Sequence, residues 1–220
     1  MKTWKKRLLS VMVLALTVLF LPGAVQAEAK AESLNSSVKK FIRAARKLDE
    51  KQLNKYVKDW EEYSLAEMKE MMPKTYRVIK KNASKVSYKV VSKKKKGNTA
   101  TVILRVKYPR YTKAMSRVVK ALEDYFDKKY GSSNTSMEVP SDLSQKEIEK
   151  LLEDMLEEMD TLYAREIRKC PKSGTADKKI KVTFAKSGSR WVIKKMPKAL
   201  ANAMFCDLIN SAEKAASSLE

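Results

Sequence analysis

The chain has 220 residues, of which 47 are basic and 26 acidic, and it carries a net charge of +21 with no histidine. The lack of histidine excludes Ser-His-Asp and Cys-His nucleophile activation, histidine-ligated zinc and the usual general base near neutral pH. Five glycines without a phosphate-loop or dinucleotide-binding pattern argue against a nucleotide cradle. We therefore expect no cofactor and no metal, and a non-catalytic protein in preference to an enzyme.

The N-terminus has the three parts of a secretory signal peptide. Four basic residues precede an apolar run at residues 8–21, and small residues follow as far as Ala27. An uncleaved membrane anchor would need a longer apolar span of about 20 residues. We predict that residues 1–27 are removed after Ala27, which leaves a secreted or extracytoplasmic chain with a charge of +17. No cysteine follows the apolar run, so we expect no lipid anchor.

Residues 28–36 are polar and without periodicity, and they are predicted to form a flexible leader before a single domain at residues 37–220. Helical spacing of apolar residues starts this domain, and Asp49 is predicted to cap its second helix. Ser64 with Glu67 has the spacing of a capping box for a third helix. Pro73 either kinks that helix or starts a new one.

Alternating apolar residues predict two β-hairpins. The first joins strands at residues 86–92 and 99–108, and the second occupies residues 179–195 with a turn at 187–189. Together they predict an α+β fold in which N-terminal helices pack on a curved, four-stranded antiparallel sheet. Trp191 is expected to be a buried anchor of this sheet.

The two hairpins are separated by a predicted helical insertion at residues 110–169. Its second helix, capped by Ser144, has one apolar and one acidic face. The acidic face could hold a cation but lacks the ligand spacing of a calcium loop, so a solvated face is the preferred interpretation. A last helix is predicted at about residues 198–215.

Two cysteines, Cys170 and Cys206, remain after the signal peptide. In an oxidising compartment two cysteines are candidates for one disulfide, and the alternative is a pair of inert buried thiols.

Four consecutive lysines, Lys93, Lys94, Lys95 and Lys96, are predicted to lie at the tip of the first hairpin. Lysines there protect a sheet edge from pairing with other chains, or they form a site for phosphate or carboxylate groups. As a polyanion-binding candidate, the tip would bind an anionic cell-wall polymer or a membrane surface. No aromatic residues interleave with the lysines, which argues against single-stranded nucleic acid as the partner.

The N-terminal helices, two of the strands and the last helix follow one another in a characteristic order. Its marker residues are Val38, Phe41, Asp49, Leu53 and Tyr56, the strand at 99–108, Trp191-Val192-Ile193 and the helix at 200–208. In this order the chain resembles small secreted bacterial proteins of the nuclear transport factor two-like (cystatin-like) superfamily, many of them lipoproteins of unassigned function. The resemblance implies a cone-like fold with a concave pocket between helix and sheet. The chain departs from the pattern in lacking a lipid-attachment cysteine and in its long insertion.

This superfamily contains enzymes, such as ketosteroid isomerase, as well as non-catalytic domains, so the fold does not determine the function. Our first hypothesis is a non-catalytic binding module of the bacterial cell envelope. The alternatives are a small-molecule enzyme with an acid/tyrosine pair in a cone-shaped pocket, and a structural or interaction protein that uses its helical insertion.

Overall fold

The computed structural model describes residues 31–130 and 144–217, and the predicted signal peptide lies outside them. The described residues contain eight α-helices and one short 3-10 helix at Trp60–Tyr63. The helices are α1 Leu34–Lys47, α2 Glu50–Tyr56, α3 Ala66–Met71, α4 Pro73–Ala83, α5 Ala114–Tyr130, α6 Gln145–Lys169, α7 Lys198–Met204 and α8 Leu208–Ala216. Within these ranges, every helix is too short or too polar to span a lipid bilayer.

The sheet has four antiparallel strands in the order β1-β2-β3-β4, and the predicted α+β class is confirmed. The strands are β1 Ser87–Lys96, β2 Thr99–Pro109, β3 Thr175–Ser187 and β4 Arg190–Ile193. Helices α5 and α6 connect β2 to β3, which pair along eleven residues. The insertion therefore separates the two hairpins in the sequence, but it does not interrupt the hydrogen bonding between β2 and β3.

The first hairpin is longer than predicted. Strand β1 continues through all four lysines, and its turn consists of Gly97 and Asn98 alone. Gly97 has φ +55°, a left-handed conformation that favours glycine. Alternation of apolar residues ends at Ser92, so the sequence pattern gave no sign that the ladder reaches Lys96.

The first helix begins within the range predicted as a leader, because it already includes residues 34–36. Helix α1 begins at Leu34, where the Ser33 side chain accepts the N–H of Ser36. Glu32 is held by hydrogen bonds from the side chains of Ser37, Lys40 and Tyr56. The polar side chains at the start of this segment therefore form hydrogen bonds and an ion pair with α1 and α2.

Aromatic side chains fill the space between α1 and the sheet. Phe41 packs edge-to-face on Phe184, with 6.2 Å between ring centroids, and both are fully buried. Trp191 is buried as predicted, and its backbone N–H donates to Ser37 Oγ at 3.1 Å. The concave pocket implied between helix and sheet is thus occupied here by the protein's own core.

Helix α2 is capped by Asp49 as predicted, whereas the predicted capping box is not formed. Ser64 Oγ donates to Glu50 at 3.1 Å and accepts the N–H of Ala66 instead of that of Glu67. Pro73 starts a new helix, α4, at its first position, where its missing N–H costs nothing.

The acidic stripe of α6 is not uniformly solvated, which corrects the prediction for that face. Asp160 is 2 % exposed, and its carboxylate accepts the N–H groups of Lys74 and Thr75 at 2.8 and 2.7 Å. It therefore caps the start of α4 from a different helix.

The last predicted helix is broken in two. Cys206 and Asp207 have φ of 56° and 66°, which ends α7 and starts α8 in a new direction. The Asp207 carboxylate accepts hydrogen bonds from Tyr108 Oη at 3.2 Å and Arg110 Nε at 2.7 Å. These contacts with the end of β2 account for the break, since apolar residues keep their helical spacing across it.

Candidate functional site

The face of the sheet turned away from the helices is strongly basic. Directly paired residues of antiparallel strands point to the same side, so the register defines this outer face. Seven of its residues are cations: Lys89, Lys94, Lys96, Arg105, Lys107, Lys179 and Lys181. Asp177 is the one carboxylate that β1, β2 and β3 contribute to it. No helix among the described residues covers these cations, and all seven are exposed.

Like charges are paired directly across three strands of this outer face. Lys89 lies opposite Arg105, which lies opposite Lys179. Arg105 is also the partner of Asp177, through Nε at 2.8 Å and a terminal nitrogen at 2.6 Å. Hydrogen bonding from Arg105 lowers the pKa of Asp177 to about 2, so this carboxylate stays ionised and engaged. Lys89 and Lys179 have no ion pair among the described residues.

The four predicted site lysines are divided between the two faces of β1. Lys94 and Lys96 pair with Thr101 and Thr99 and belong to the outer face. Lys93 and Lys95 point to the helix side, where Lys93 Nζ donates to Asn35 at 2.6 Å. The ammonium of Lys95 lies 5.5 Å from the centre of the Trp191 ring. Only half of the lysine run therefore contributes to a common basic surface.

A groove of about 510 Å³ lies along the outer face next to β4. Its walls include Lys181, Lys194, Lys195 and Lys198, together with the hydroxyl-bearing Thr183. Lysines and hydroxyls around one groove provide cationic and neutral hydrogen-bond donors for an anionic chain. The sequence showed the charges but not that residues 181 and 194 border the same groove.

A second basic cleft lies on the helices and has a volume of about 540 Å³. Five cations line it: Arg46, Lys47, Lys51, Lys69 and Lys80. Its two carboxylates have structural roles, because Asp49 caps α2 and Glu50 binds Trp60 and Ser64. This cleft shows that positive charge alone does not single out the sheet face.

An apolar pocket of about 350 Å³ lies among the helices. It is bordered by the 3-10 helix and by residues of α3, α4, α5, α6 and α8. The wall is formed by aliphatic, methionine and aromatic side chains from segments far apart in sequence, so no sequence motif could have indicated it.

Cys170 and Cys206 are free, buried thiols in the structure, and the predicted disulfide is not formed. Cys206 Sγ donates to the carbonyl oxygen of Asn82, and Cys170 Sγ donates to that of Pro171, each at 3.5 Å. Burial raises the pKa of both thiols, to about 12 for Cys206. Both therefore stay protonated near neutral pH, and a protonated thiol is a poor nucleophile.

The enzyme alternative requires an acid/tyrosine pair in a pocket, and the described residues give it no support. Two carboxylates that border the apolar face of α5, Glu123 and Asp124, are exposed and do not line the apolar pocket. Glu62 and Tyr63 do line it, but burial and the charges of Asp59 and Glu62 raise the pKa of Tyr63. A phenol with a raised pKa is a weaker acid. In the described ranges, no cluster of three or more carboxylates or thiols is arranged to hold a metal ion.

Comparisons with known proteins give little further information. No protein-family model and no curated protein matches the chain. Among solved structures, the crystal structure of a predicted lipoprotein, YcdA, from Bacillus subtilis strain 168 is similar over 90% of this chain, with 17% sequence identity and a TM-score of 0.37. The chain spans about half, 54%, of that protein's length. Similarity at this level carries no information on function.

Proposed function

We propose that this protein is a non-catalytic binding module of the bacterial cell envelope that holds a hydrated anionic polymer on the outer face of its sheet. The observation that carries the proposal is the row of like charges formed by Lys89, Arg105 and Lys179. Like charges directly opposite each other destabilise a sheet. An anionic chain laid across the row would relieve that repulsion.

The dimensions of the outer face suit an extended chain. From Lys89 to Lys96 the strand advances about 23 Å at roughly 3.3 Å per residue, and three strands are about 10 Å wide. Phosphate or carboxylate groups along a polymer could meet several lysines at once. Such contacts are individually weak and screened by salt, so the expected binding is electrostatic and of low specificity.

A polymer suits this outer face better than a membrane does. Helices and surfaces that bind membranes carry Trp, Phe or Leu that enter the lipid boundary. Here the positions between the lysines are held by Thr99, Thr101, Thr183 and Ile103. Stacking platforms for nucleic-acid bases are also missing from these positions.

Two further parts of the proposal depend on the sequence. A signal peptide ending at Ala27 would place the protein outside the cytoplasm, where such polymers occur.

We also keep the nuclear transport factor two-like assignment as an interpretation. It is supported by the packing of α1 on one face of the sheet and by the parallel bridge between Val57 and Ile193.

The test compares two variants that lose the same charge from different surfaces. One carries Lys89→Thr, Lys179→Thr and Lys181→Thr on the sheet, and the other carries Lys51→Gln, Lys69→Gln and Lys80→Gln at the helical cleft. Binding to immobilised polyphosphate and polyglutamate is measured over a salt series. The slope of log affinity against log salt is negative, and it should become less steep by about 2 for the sheet variant, because three contacts are lost. It should change little for the cleft variant.

Two results would overturn the proposal. Equal losses in both variants would show that net charge alone controls retention. Retention on anionic phosphatidylglycerol vesicles, without retention on either polymer, would identify the surface as a membrane-binding one.

A further inference from the structure

The apolar pocket carries little charge, although the chain has 47 basic residues. None of its lining residues is a lysine or arginine, and its one ionisable carboxylate belongs to the exposed Glu62. Three other grooves among the described residues are each lined by four or more cations. Because no lysine or arginine lines this pocket, we expect it to disfavour an anionic ligand.

Two tyrosines are among the residues with polar groups that line the pocket. Tyr63 and Tyr163 both line it, and neither makes a hydrogen bond within residues 31–130 and 144–217. Burial raises the pKa of Tyr63, so its hydroxyl keeps its proton and is available as a donor. Thr75 also borders the pocket, but its hydroxyl is used by the carbonyl oxygen of Asp160.

One wall of the pocket includes a helix that has no buried residue. Helix α3 has six residues, none of them buried, and only Met68 of this helix lines the pocket. Its neighbour Met71 is 56 % exposed. Methionine side chains are unbranched and adapt to different shapes. Met68 on α3 and Met115 on α5 both line the pocket and allow its wall to fit a ligand without movement of the core.

We infer that this pocket binds a small, uncharged, mainly apolar molecule with a hydroxyl or carbonyl group that meets Tyr63 or Tyr163. Its volume of about 350 Å³ is at the lower end of the range for small-molecule sites. The apolar wall would bury the body of the ligand, and the hydroxyls would fix its orientation. This inference does not depend on the anionic polymer, because none of the sheet residues lines the pocket.

The probe is N-phenyl-1-naphthylamine, an uncharged fluorescent molecule, titrated into the full chain. Ala212 lies at the pocket on α8, is exposed, and leaves room for a larger side chain to block the entrance. Ala216, also exposed on the same helix, does not line the pocket and serves as the matched control. We expect saturable binding that is weakened at least tenfold by Ala212→Phe and unchanged by Ala216→Phe, with the same melting temperature for both variants.

A second measurement locates the probe in the unaltered protein. With carbon-13-methyl-labelled methionine, saturating probe should shift the NMR signals of Met68 and Met115 but not that of the buried Met204. Absence of saturable binding, equal affinity in the two alanine variants, or unshifted Met68 and Met115 signals would each overturn the inference. Dimerisation on addition of the probe would point instead to a contact between two copies of the chain.

Discussion

At the scale of single residues, Asp160 shows how a carboxylate within an acidic stripe acquires a structural role. Its side chain satisfies two of the N–H groups that the start of any helix leaves without an intrahelical partner. The negative charge also lies at the positive end of the dipole of α4. Thr75 Oγ1 returns a hydrogen bond to the carbonyl oxygen of Asp160, at 3.2 Å, so the two helices are joined in both directions.

Replacing Asp160 with alanine should therefore destabilise the protein although the residue belongs to an acidic stripe. Two backbone N–H groups would lose their partner, that of Thr75 in a buried position and that of Lys74 in a partly buried one. We expect a loss of about 2 kcal/mol in the free energy of unfolding. Chemical denaturation of Asp160→Ala measures this loss. Glu153→Ala, at an exposed position of the same helix, is the control and should change stability by less than about 0.5 kcal/mol. Equal stability of the two variants would show that the carboxylate does not cap α4.

At the scale of elements, β1 combines two uses of lysine in one strand. Residues 94 and 96 add charge to the outer face, whereas Lys93 fastens the strand to Asn35 at the start of α1. The cation of Lys95 lies over the Trp191 ring, a geometry worth about 0.5–1 kcal/mol at an exposed site. Because β1 is also an edge strand, its lysines oppose pairing with other chains as well.

Two double variants of β1 should separate these uses. Lys94→Thr with Lys96→Thr should weaken binding to polyphosphate and leave the melting temperature unchanged or slightly higher. Lys93→Thr with Lys95→Thr should lower the free energy of unfolding by about 1 kcal/mol and affect binding less. Both pairs remove the same charge, so thermal unfolding and polymer retention can be compared directly. A reversal of the two results would mean that the register of β1 is shifted by one residue.

The sequence predicted those elements whose own pattern specifies them. The strands around Val102 and Val182 alternate clearly, and Asp49 has the type and position of a helix cap, so both were found. The break at Asp207 and the capping by Asp160 depend on partners about 100 and 85 residues away, which no local pattern shows. The outer face escaped prediction for the same reason. Its lysines are spread over three strands, and only the register of Arg105 with its neighbours puts them in one row.

At the scale of the whole molecule, charge and stability oppose each other. A chain with a charge of +21, or +17 after loss of the predicted signal peptide, repels itself when folded. Burial of apolar side chains around Phe41, Phe184 and Trp60 forms one core that must outweigh this repulsion. The repulsion is concentrated on the outer face, because Lys89 and Lys179 flank Arg105 without carboxylates of their own. We interpret this arrangement as one in which the fold is less stable than it could be, so that the outer face can bind an anionic polymer.

Salt should therefore stabilise this protein. Raising potassium chloride from low to physiological concentration shortens the Debye length to about 8 Å and screens repulsion among the exposed lysines. For a chain of this length, a gain of about 1 kcal/mol corresponds to a rise of about 2–4 °C in melting temperature, which calorimetry can measure. The variant with Lys89→Thr, Lys179→Thr and Lys181→Thr should melt higher than the parent at low salt and gain less from added salt. Because the parent and the variant share the same core, their difference isolates the sheet face. A parent melting temperature that is constant or falls with salt would mean that the cations of the outer face do not strain the folded state, and the argument for an anionic occupant would lose its energetic basis.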